Sequence, residues 1–214
     1  MLSSTLPVSL LAWLGACIVA VSATVTIDEP VDTVDVALGV GELTVVAESG
    51  PVVLEADLGG LADSELDYRV HNKVLYVDAT CAQKNLCGGS LDITMPGKTA
   101  LVAQVGTGSV ALDGLADSAS LGVGTGDVTG SELALTSGSF DVDVGNLDLS
   151  FRRAPGALTV TVTTGDVSVV VPKGAYDLQL DAQQVSTRGV TDDADAPSLL
   201  RIHVGAGRID VVGR

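Results

Sequence analysis

A short phrase of small residues built around glycine returns along the second half of the chain, and an apolar strand pattern follows it each time. Val105-Gly106-Thr107-Gly108 is the first clear copy, and Val185–Val190 is a degenerate one. The copies are spaced 18, 19, 20, 24 and 18 residues apart, as marked by Gly108, Gly126, Gly145, Gly165, Gly189 and Gly207. A repeat of this length with strand character is typical of stacked, coiled β-strands. It predicts an all-β, single-domain β-solenoid or β-helix with rungs of about 20 residues.

Apolar residues alternate with small or polar ones after each glycine. Because successive strand residues point to opposite faces, residues two apart share a face. The pattern places one set inside the coil: Val110, Leu112, Leu147, Leu149, Val167, Val169, Ile209 and Val211. It places the intervening set outside: Ala111, Asp148, Ser168 and Asp210. The glycines are expected at the turns, where a positive φ is tolerated without a Cβ.

The region before the repeats is also rich in strand signals but is less regular. Leu66–Val70 and Val74–Val77 flank the turn residues His71-Asn72-Lys73 and predict a β-hairpin. No linker separates this region from the repeats, which start near Leu101. We therefore expect residues 24–214 to form one domain, with strands within 24–96 packed as its first rungs or as a cap.

The composition limits both the core and the partners of this domain. Apolar residues make up 46% of the chain but aromatic residues only 3%, so Val, Leu, Ile and Ala must build the core. This apolar content is too high for a disordered chain. The formal net charge is −16, and no charged residue precedes Asp28. Such an acidic surface disfavours direct binding to nucleic acid or to anionic membranes.

The N-terminus has the features of an export signal. Leu6–Val21 is largely apolar, and Val21-Ser22-Ala23 fits a small-x-small cleavage site, so residues 1–23 are predicted to be a signal peptide. In a second interpretation, Leu14-Gly15-Ala16-Cys17 is a lipobox, residues 1–16 are a lipoprotein signal, and Cys17 is lipidated. An uncleaved anchor is a third alternative. The protein is therefore expected to be exported, either to the cell envelope or into the medium, with Cys17 lipidation as its only membrane attachment.

Two further cysteines flank a short polar loop. Cys81 and Cys87 are predicted to form a structural disulfide, because disulfides persist in exported proteins. Free thiols and a metal site are the alternatives. A zinc site needs about four ligands. The remaining soft candidates, His71 and His203, are isolated in the sequence, so no metal or other cofactor is expected.

Several acidic and basic residues are candidates for binding or catalysis. Asp127 and Asp166 follow turn glycines, where they would either bind calcium between rungs or cap their turns, and capping is the favoured interpretation. Asp141 and Asp143 lie on one strand face and are the candidate carboxylate pair of a carbohydrate-active enzyme. Arg152-Arg153 is either a solvated pair or a site for an anion or a lipid headgroup. The surface-loop acids and the aromatic residues available for a sugar site are Asp192, Asp193, Asp195, Tyr68, Tyr76, Phe140, Phe151 and Tyr176.

These turns resemble the bacterial putative-adhesin family, whose members carry repeated Ser/Thr-Gly-Asp-Val/Ile turns on a β-helix. The similarity spans roughly residues 30–213 and is carried by Pro96-Gly97, Gly108-Ser109-Val110, Gly126-Asp127-Val128, Thr164-Gly165-Asp166-Val167 and Gly207-Arg208-Ile209. The chain departs from the pattern at Ser109, at Arg208 and in the copy at 185–190, where the acidic residue is missing. The resemblance implies an envelope-located, non-catalytic domain, and the Cys81–Cys87 pair is similar to that of exported members.

Together these features predict a non-enzymatic, adhesin-like protein with no catalytic residues, which presents an acidic β surface to an envelope or cell-surface partner. A carbohydrate-active β-helix enzyme is the catalytic alternative. An envelope-stress accessory protein that senses a membrane partner is the third.

Overall fold

A computed structural model of the protein describes residues 19–60, 66–79 and 87–214. Every helix or strand among them is a β-strand, which confirms the all-β prediction. The strands are β1 Val19–Ile27, β2 Thr33–Val40, β3 Glu42–Ala47, β4 Val52–Gly60, β5 Asp67–His71, β6 Val74–Ala79, β7 Cys87–Met95, β8 Ala100–Thr107, β9 Val110–Asp113, β10 Ser118–Thr125, β11 Val128–Leu133, β12 Ser137–Val144, β13 Leu147–Phe151, β14 Ala157–Thr164, β15 Val167–Val171, β16 Gly174–Asp181, β17 Gln184–Arg188, β18 Val190–Asp192, β19 Leu199–Ala206 and β20 Arg208–Gly213.

The strands form two sheets of ten strands each. Sheet A has the order β1-β4-β7-β3-β9-β11-β13-β15-β20-β17, and sheet B has the order β18-β16-β19-β14-β12-β10-β8-β2-β6-β5. The chain crosses from a sheet B strand to a sheet A strand at each repeat, and equivalent strands of neighbouring repeats pair in parallel. Antiparallel pairs occur at the N-terminal end, in β1·β4, β4·β7 and β5·β6. Both sheets are therefore mixed but mostly parallel.

The alternation of apolar residues determines which side of each strand is buried. The predicted inward residues are all at most 2% exposed, whereas Asp148 lies on the surface and Ser168 and Asp210 are partly exposed. Parallel pairing keeps this alternation in register, because Val128 pairs with Val110 on one side and with Leu147 on the other. The inward faces of both sheets thus contribute to one aliphatic core.

The order of the repeats in space differs from their order in the sequence. β2 and β3 form a complete repeat around Gly41, and they pair with β8 and β9 although β4–β7 intervene in the chain. The repeats therefore begin at Thr33 and not near Leu101 as expected. At the other end, β19 and β20 insert between the β14–β15 repeat and β16–β17. The degenerate copy thus lies at the edge of sheet A.

Gly189 is not equivalent to the other five marker glycines, contrary to the sequence analysis. The other markers precede a sheet A strand, whereas Gly189 follows β17. Its φ is 71°, while Gly207 has 151°, and it packs against Gly213. The turn that precedes β17 contains Ala182 and Gln183, so this copy lacks the glycine of the others.

The predicted hairpin is confirmed by β5 and β6, which pair antiparallel around Asn72 and Lys73. These two residues have φ values of 51° and 64°, as a tight two-residue hairpin turn requires. The hairpin forms the N-terminal edge of sheet B, beside β2. The strands before residue 96 therefore close one end of the same stack.

The export and disulfide predictions fall mainly outside the described residues. Residues 1–18, which include Cys17, are not described, and neither is Cys81. Strand β1 begins at Val19, and Ala23 pairs with Ala56 of β4. The predicted cleavage point after Ala23 therefore lies within β1. Among the described residues, no helix is long and apolar enough to cross a membrane.

Candidate binding surface

Glycine forms a column where the chain passes from sheet B to sheet A. Gly108, Gly126, Gly145, Gly165 and Gly207 have φ values of 146–151° and follow one another along the stack, with Gly41 beneath Gly108. A Cβ on each would collide with the carbonyl oxygen of the glycine in the preceding repeat. This close approach lets neighbouring turns form direct hydrogen bonds. For example, the Gly126 N–H donates to Val144 O at 2.9 Å. Glycine is therefore required here both by its φ and by packing.

The residues after Gly126, Gly145, Gly165 and Gly207 form a polar ladder. The Asn146 N–H donates to Asp127 Oδ1 at 2.7 Å, and the Asp166 N–H donates to Asn146 Oδ1 at 3.1 Å. The Arg208 N–H donates to Asp166 Oδ1 at 3.1 Å. The Asp side chains were expected to cap their own turns. The structure corrects this, because each accepts the N–H of the equivalent residue in the next repeat, which the parallel stacking brings within reach.

The ladder is poorly suited to calcium. Asn146 separates the two carboxylates, and the guanidinium of Arg208 lies 3.2 Å from Asp166 Oδ2. A calcium site needs about six to eight oxygen donors. Within the described part of the chain, no three His, Cys, Asp or Glu side chains gather closely enough to hold a metal ion. The carboxylates instead link neighbouring repeats.

Asn146 can be tested as the neutral member of this ladder. We expect Asn146→Asp to lower the free energy of unfolding by about 1–2 kcal/mol, because three carboxylates would then lie on adjacent repeats. The penalty should shrink in 0.5 M NaCl, which screens exposed charges. Asn146→Ala is the matched control, since it loses the hydrogen bonds without adding a charge. Equal salt dependence of the two variants in urea unfolding would contradict this account.

A groove of about 650 Å³ crosses the outer face of sheet A near its C-terminal end. Its walls include Asp148, Ser168, Ser186 and Arg208, and Asp210 lies between Ser168 and Ser186 in the strand register. Asp210 Oδ2 accepts a bond from Arg188 Nη2 at 3.1 Å, while Oδ1 is buried without a hydrogen-bond partner. The groove thus combines a partly unsatisfied carboxylate with small hydroxyl side chains.

A second groove, of about 660 Å³, lies on the outer face of sheet B and contains both Asp141 and Asp143. Gly106, Gly122 and Gly124 form part of its floor, and both carboxylates are exposed. The two acids do project from one strand face, as predicted. Among the described residues that line this groove, none is aromatic, so they offer no stacking platform of the kind that sugar sites commonly use.

The histidines and the acidic residues of the surface loop lie apart from one another and form no common site. His71 lies in β5 beside Asn72, whereas His203 lies in β19 with its Nδ1 3.0 Å from Asp181 Oδ2, and both are exposed. Asp192 and Asp193 accept backbone N–H bonds from Leu178 and Asp195, both at 3.1 Å. These polar groups stabilise local structure and do not converge with Asp141 and Asp143.

Most of the aromatic residues belong to the core. Phe140 and Tyr176 are each 1% exposed, and Phe151 is 5% exposed. Burial raises the pKa of the Tyr176 phenol, whose hydroxyl donates to Pro172 O at 2.7 Å. Tyr68 is 43% exposed on the edge strand β5, and the guanidinium of Arg69 lies 5.0 Å from the ring centre of Tyr76.

The fold thus defines an all-β protein of two mixed ten-stranded sheets, joined by stacked glycine turns. No family model matches the chain, and no curated protein is similar to it in sequence. Among solved structures, a putative cell adhesion protein from Clostridium sporogenes is similar, with a TM-score of 0.57 and 13% identity over 91% of this chain and all of that one. A putative adhesin from Bacteroides fragilis has a TM-score of 0.46 and 14% identity over 90% and 96% of the two chains. At these identities the first likeness establishes the fold alone.

Proposed function

We propose that this chain is a non-enzymatic, exported cell-envelope protein, built as an adhesin-like β-solenoid whose outward residues bind a surface partner. This proposal rests mainly on one observation, the alignment of short polar side chains across neighbouring strands. On sheet A one such row passes through Thr129, Asp148, Ser168, Asp210 and Ser186, and it is flanked by Ala111. On sheet B another passes through Ser120, Ser139 and Thr159. Val102 flanks this second row on one side, and the longer side chains of Arg201 and Gln179 continue it on the other.

Such rows favour recognition through an extended surface. Adjacent strands lie about 4.8 Å apart, so each row presents short donors and acceptors at a regular spacing. Short side chains also lose little conformational entropy when they are covered. The likeness to the Clostridium sporogenes putative cell adhesion protein, which extends over 91% of this chain, supports the same role. The apolar N-terminal segment supports export. Asp148 and Asp210 give the sheet A row of the proposed binding surface its acidic character.

A carbohydrate-active enzyme is the second candidate, because Asp141 and Asp143 lie together in a groove. The two proposals differ in whether the partner is cleaved. We would incubate the folded protein with isolated cell envelopes and measure both the bound protein and the reducing sugar ends released. Surface binding predicts saturable retention without release. Release that disappears in Asp141→Asn/Asp143→Asn would instead support the enzyme.

The position of the binding face can be tested in the same assay. Thr129→Lys/Ser168→Lys alters the outward row of sheet A, and Ser120→Lys/Ser139→Lys alters that of sheet B, each with the same change in net charge. We expect one pair to reduce retention by at least tenfold and the other to leave it unchanged. Equal retention of both pairs and the unaltered protein would remove the support for recognition through these rows.

A further inference from the structure

Basic residues collect where four adjacent strands of sheet A end. Strands β13, β15, β20 and β17 are neighbours in this order and run parallel, so their carboxyl ends meet at one border of the sheet. The basic residues at this border are Arg152 and Arg153 after β13, Lys173 after β15, Arg214 after β20 and Arg188 at the end of β17. We call these five residues the basic border.

Strand register places these residues close together although they are far apart in the sequence. Val171 pairs with Gly213, and Val212 pairs with Arg188. The Lys173 N–H donates to Arg214 O at 2.9 Å, which joins the ends of β15 and β20. Three strand spacings separate β13 from β17, so the border extends over about 14 Å.

The charges of the basic border are accessible and mostly uncompensated. All five residues are exposed. Arg188 pairs with Asp210 at 3.1 Å. Among the described residues, the other four have no carboxylate partner within the 4.0 Å limit of an ion pair. The border therefore retains an excess of positive charge on a strongly acidic protein.

This excess reflects a separation of charge along the chain. Residues 1–151 contain 4 Lys and Arg against 20 Asp and Glu, whereas residues 152–214 contain 7 of each. Along the same border, the strands before β13 end near acidic residues, Asp113 at β9 and Glu132 within β11. At physiological salt, charges more than about 8–10 Å apart are largely screened from one another. Asp113, two strands away from β13, therefore acts weakly on the basic border, whereas Glu132 on the adjacent strand β11 offsets part of the charge of Arg152. The basic border can thus attract an anion despite the net charge of the whole chain.

We propose that the basic border docks the domain onto the anionic phosphate headgroups of a lipid bilayer. Five exposed side chains along one border can meet a flat surface together without a pocket, whereas the acidic repeats would be repelled from it. The domain would therefore contact the membrane through the C-terminal end of sheet A. This proposal replaces the expectation from net charge that anionic membranes are not direct partners, and it does not depend on the proposed adhesive role.

The test is vesicle co-sedimentation of the full chain with phosphatidylcholine vesicles, with and without 30% phosphatidylglycerol. We expect binding only to the anionic vesicles, and its loss in about 0.5 M salt. Each basic residue near an anionic surface contributes about fivefold in affinity, so Arg152→Glu/Arg153→Glu/Lys173→Glu should weaken binding by at least about 100-fold. The matched control, Arg69→Glu/Lys73→Glu/Arg201→Glu, has the same net charge but lies outside the border.

The control separates the border from the total charge. An equal loss in both triple variants, each shown to be folded by circular dichroism, would overturn the proposal. Equal binding to neutral and anionic vesicles would also overturn it, because the apolar N-terminal segment would then account for attachment. A third outcome would reject the bilayer as the ligand. The protein would then bind inorganic polyphosphate but no vesicles, and the loss of polyphosphate binding in the border variant would assign the site to a soluble polyanion.

Discussion

Replacing Gly126 by alanine is expected to lower the free energy of unfolding by about 4 kcal/mol. Gly126 has a φ of 147°, which side-chain-bearing residues rarely adopt, and an added Cβ would overlap the carbonyl oxygen of Gly108. That neighbour is backbone within a parallel stack, so it cannot move aside without straining the bond from the Gly108 N–H to Thr125 O, which is 2.8 Å long. Chemical unfolding followed by circular dichroism measures the loss.

Gly50 provides the matched control for this substitution. Its φ is 143°, close to that of Gly126, but among the described residues no atom beyond its two chain neighbours lies within 4 Å of the position that its Cβ would occupy. Gly50→Ala should therefore show the conformational cost alone, about 1–2 kcal/mol. The difference between the two variants reports the collision within the glycine column. Equal losses would mean that the column tolerates a side chain and that only backbone conformation selects glycine.

The sequence alone supports the repeat and its inward face but not the complete glycine column. A fixed spacing with alternating apolar residues is a local pattern, and it correctly placed Val110, Leu147 and Ile209 in the core. Gly41 was not recognised as a member, because β4–β7 separate its repeat from the next one in the chain. Gly189 was wrongly included because spacing cannot distinguish a glycine before a strand from one after it. In both cases, the pairing of strands that are distant in the sequence determines whether the glycine belongs to the column.

The sequence also could not show which polar groups meet in space, because these contacts depend on long-range strand pairing. Asp127 and Asp166 were singled out by their place after glycine, but their hydrogen-bond partners lie in the next repeat and are 19 and 42 residues away in the sequence. In the sequence, the Arg152-Arg153 pair is an isolated basic dipeptide. Lys173 joins it because β15 pairs with β13. Arg214 and Arg188 join it only because β20 inserts beside β15 and β17 pairs with β20. Net charge, which averages over the chain, concealed this separation.

Phe140→Ala is the second substitution for which we expect a large effect, a loss of about 4 kcal/mol in the free energy of unfolding. Phe140 is 1% exposed in β12, where it pairs in register with Leu121 of β10 and Val160 of β14. Its ring occupies space next to Gly138, where an added Cβ would also contact Leu158. The neighbouring leucine and valine side chains are held in strand register, so they can close only part of the cavity that this ring would leave.

Tyr68→Ala removes an aromatic ring of similar size from an exposed site and is the natural comparison. Tyr68 is 43% exposed on the edge strand β5, so its loss should cost about 1 kcal/mol or less. A large difference between the two variants would mean that stability comes from layers of side chains packed between the sheets. Similar losses would instead indicate that the β5–β6 hairpin stabilises the stack as much as its interior does. That result would make the N-terminal end of the stack essential to folding, because β5 is the outermost strand of sheet B at that end.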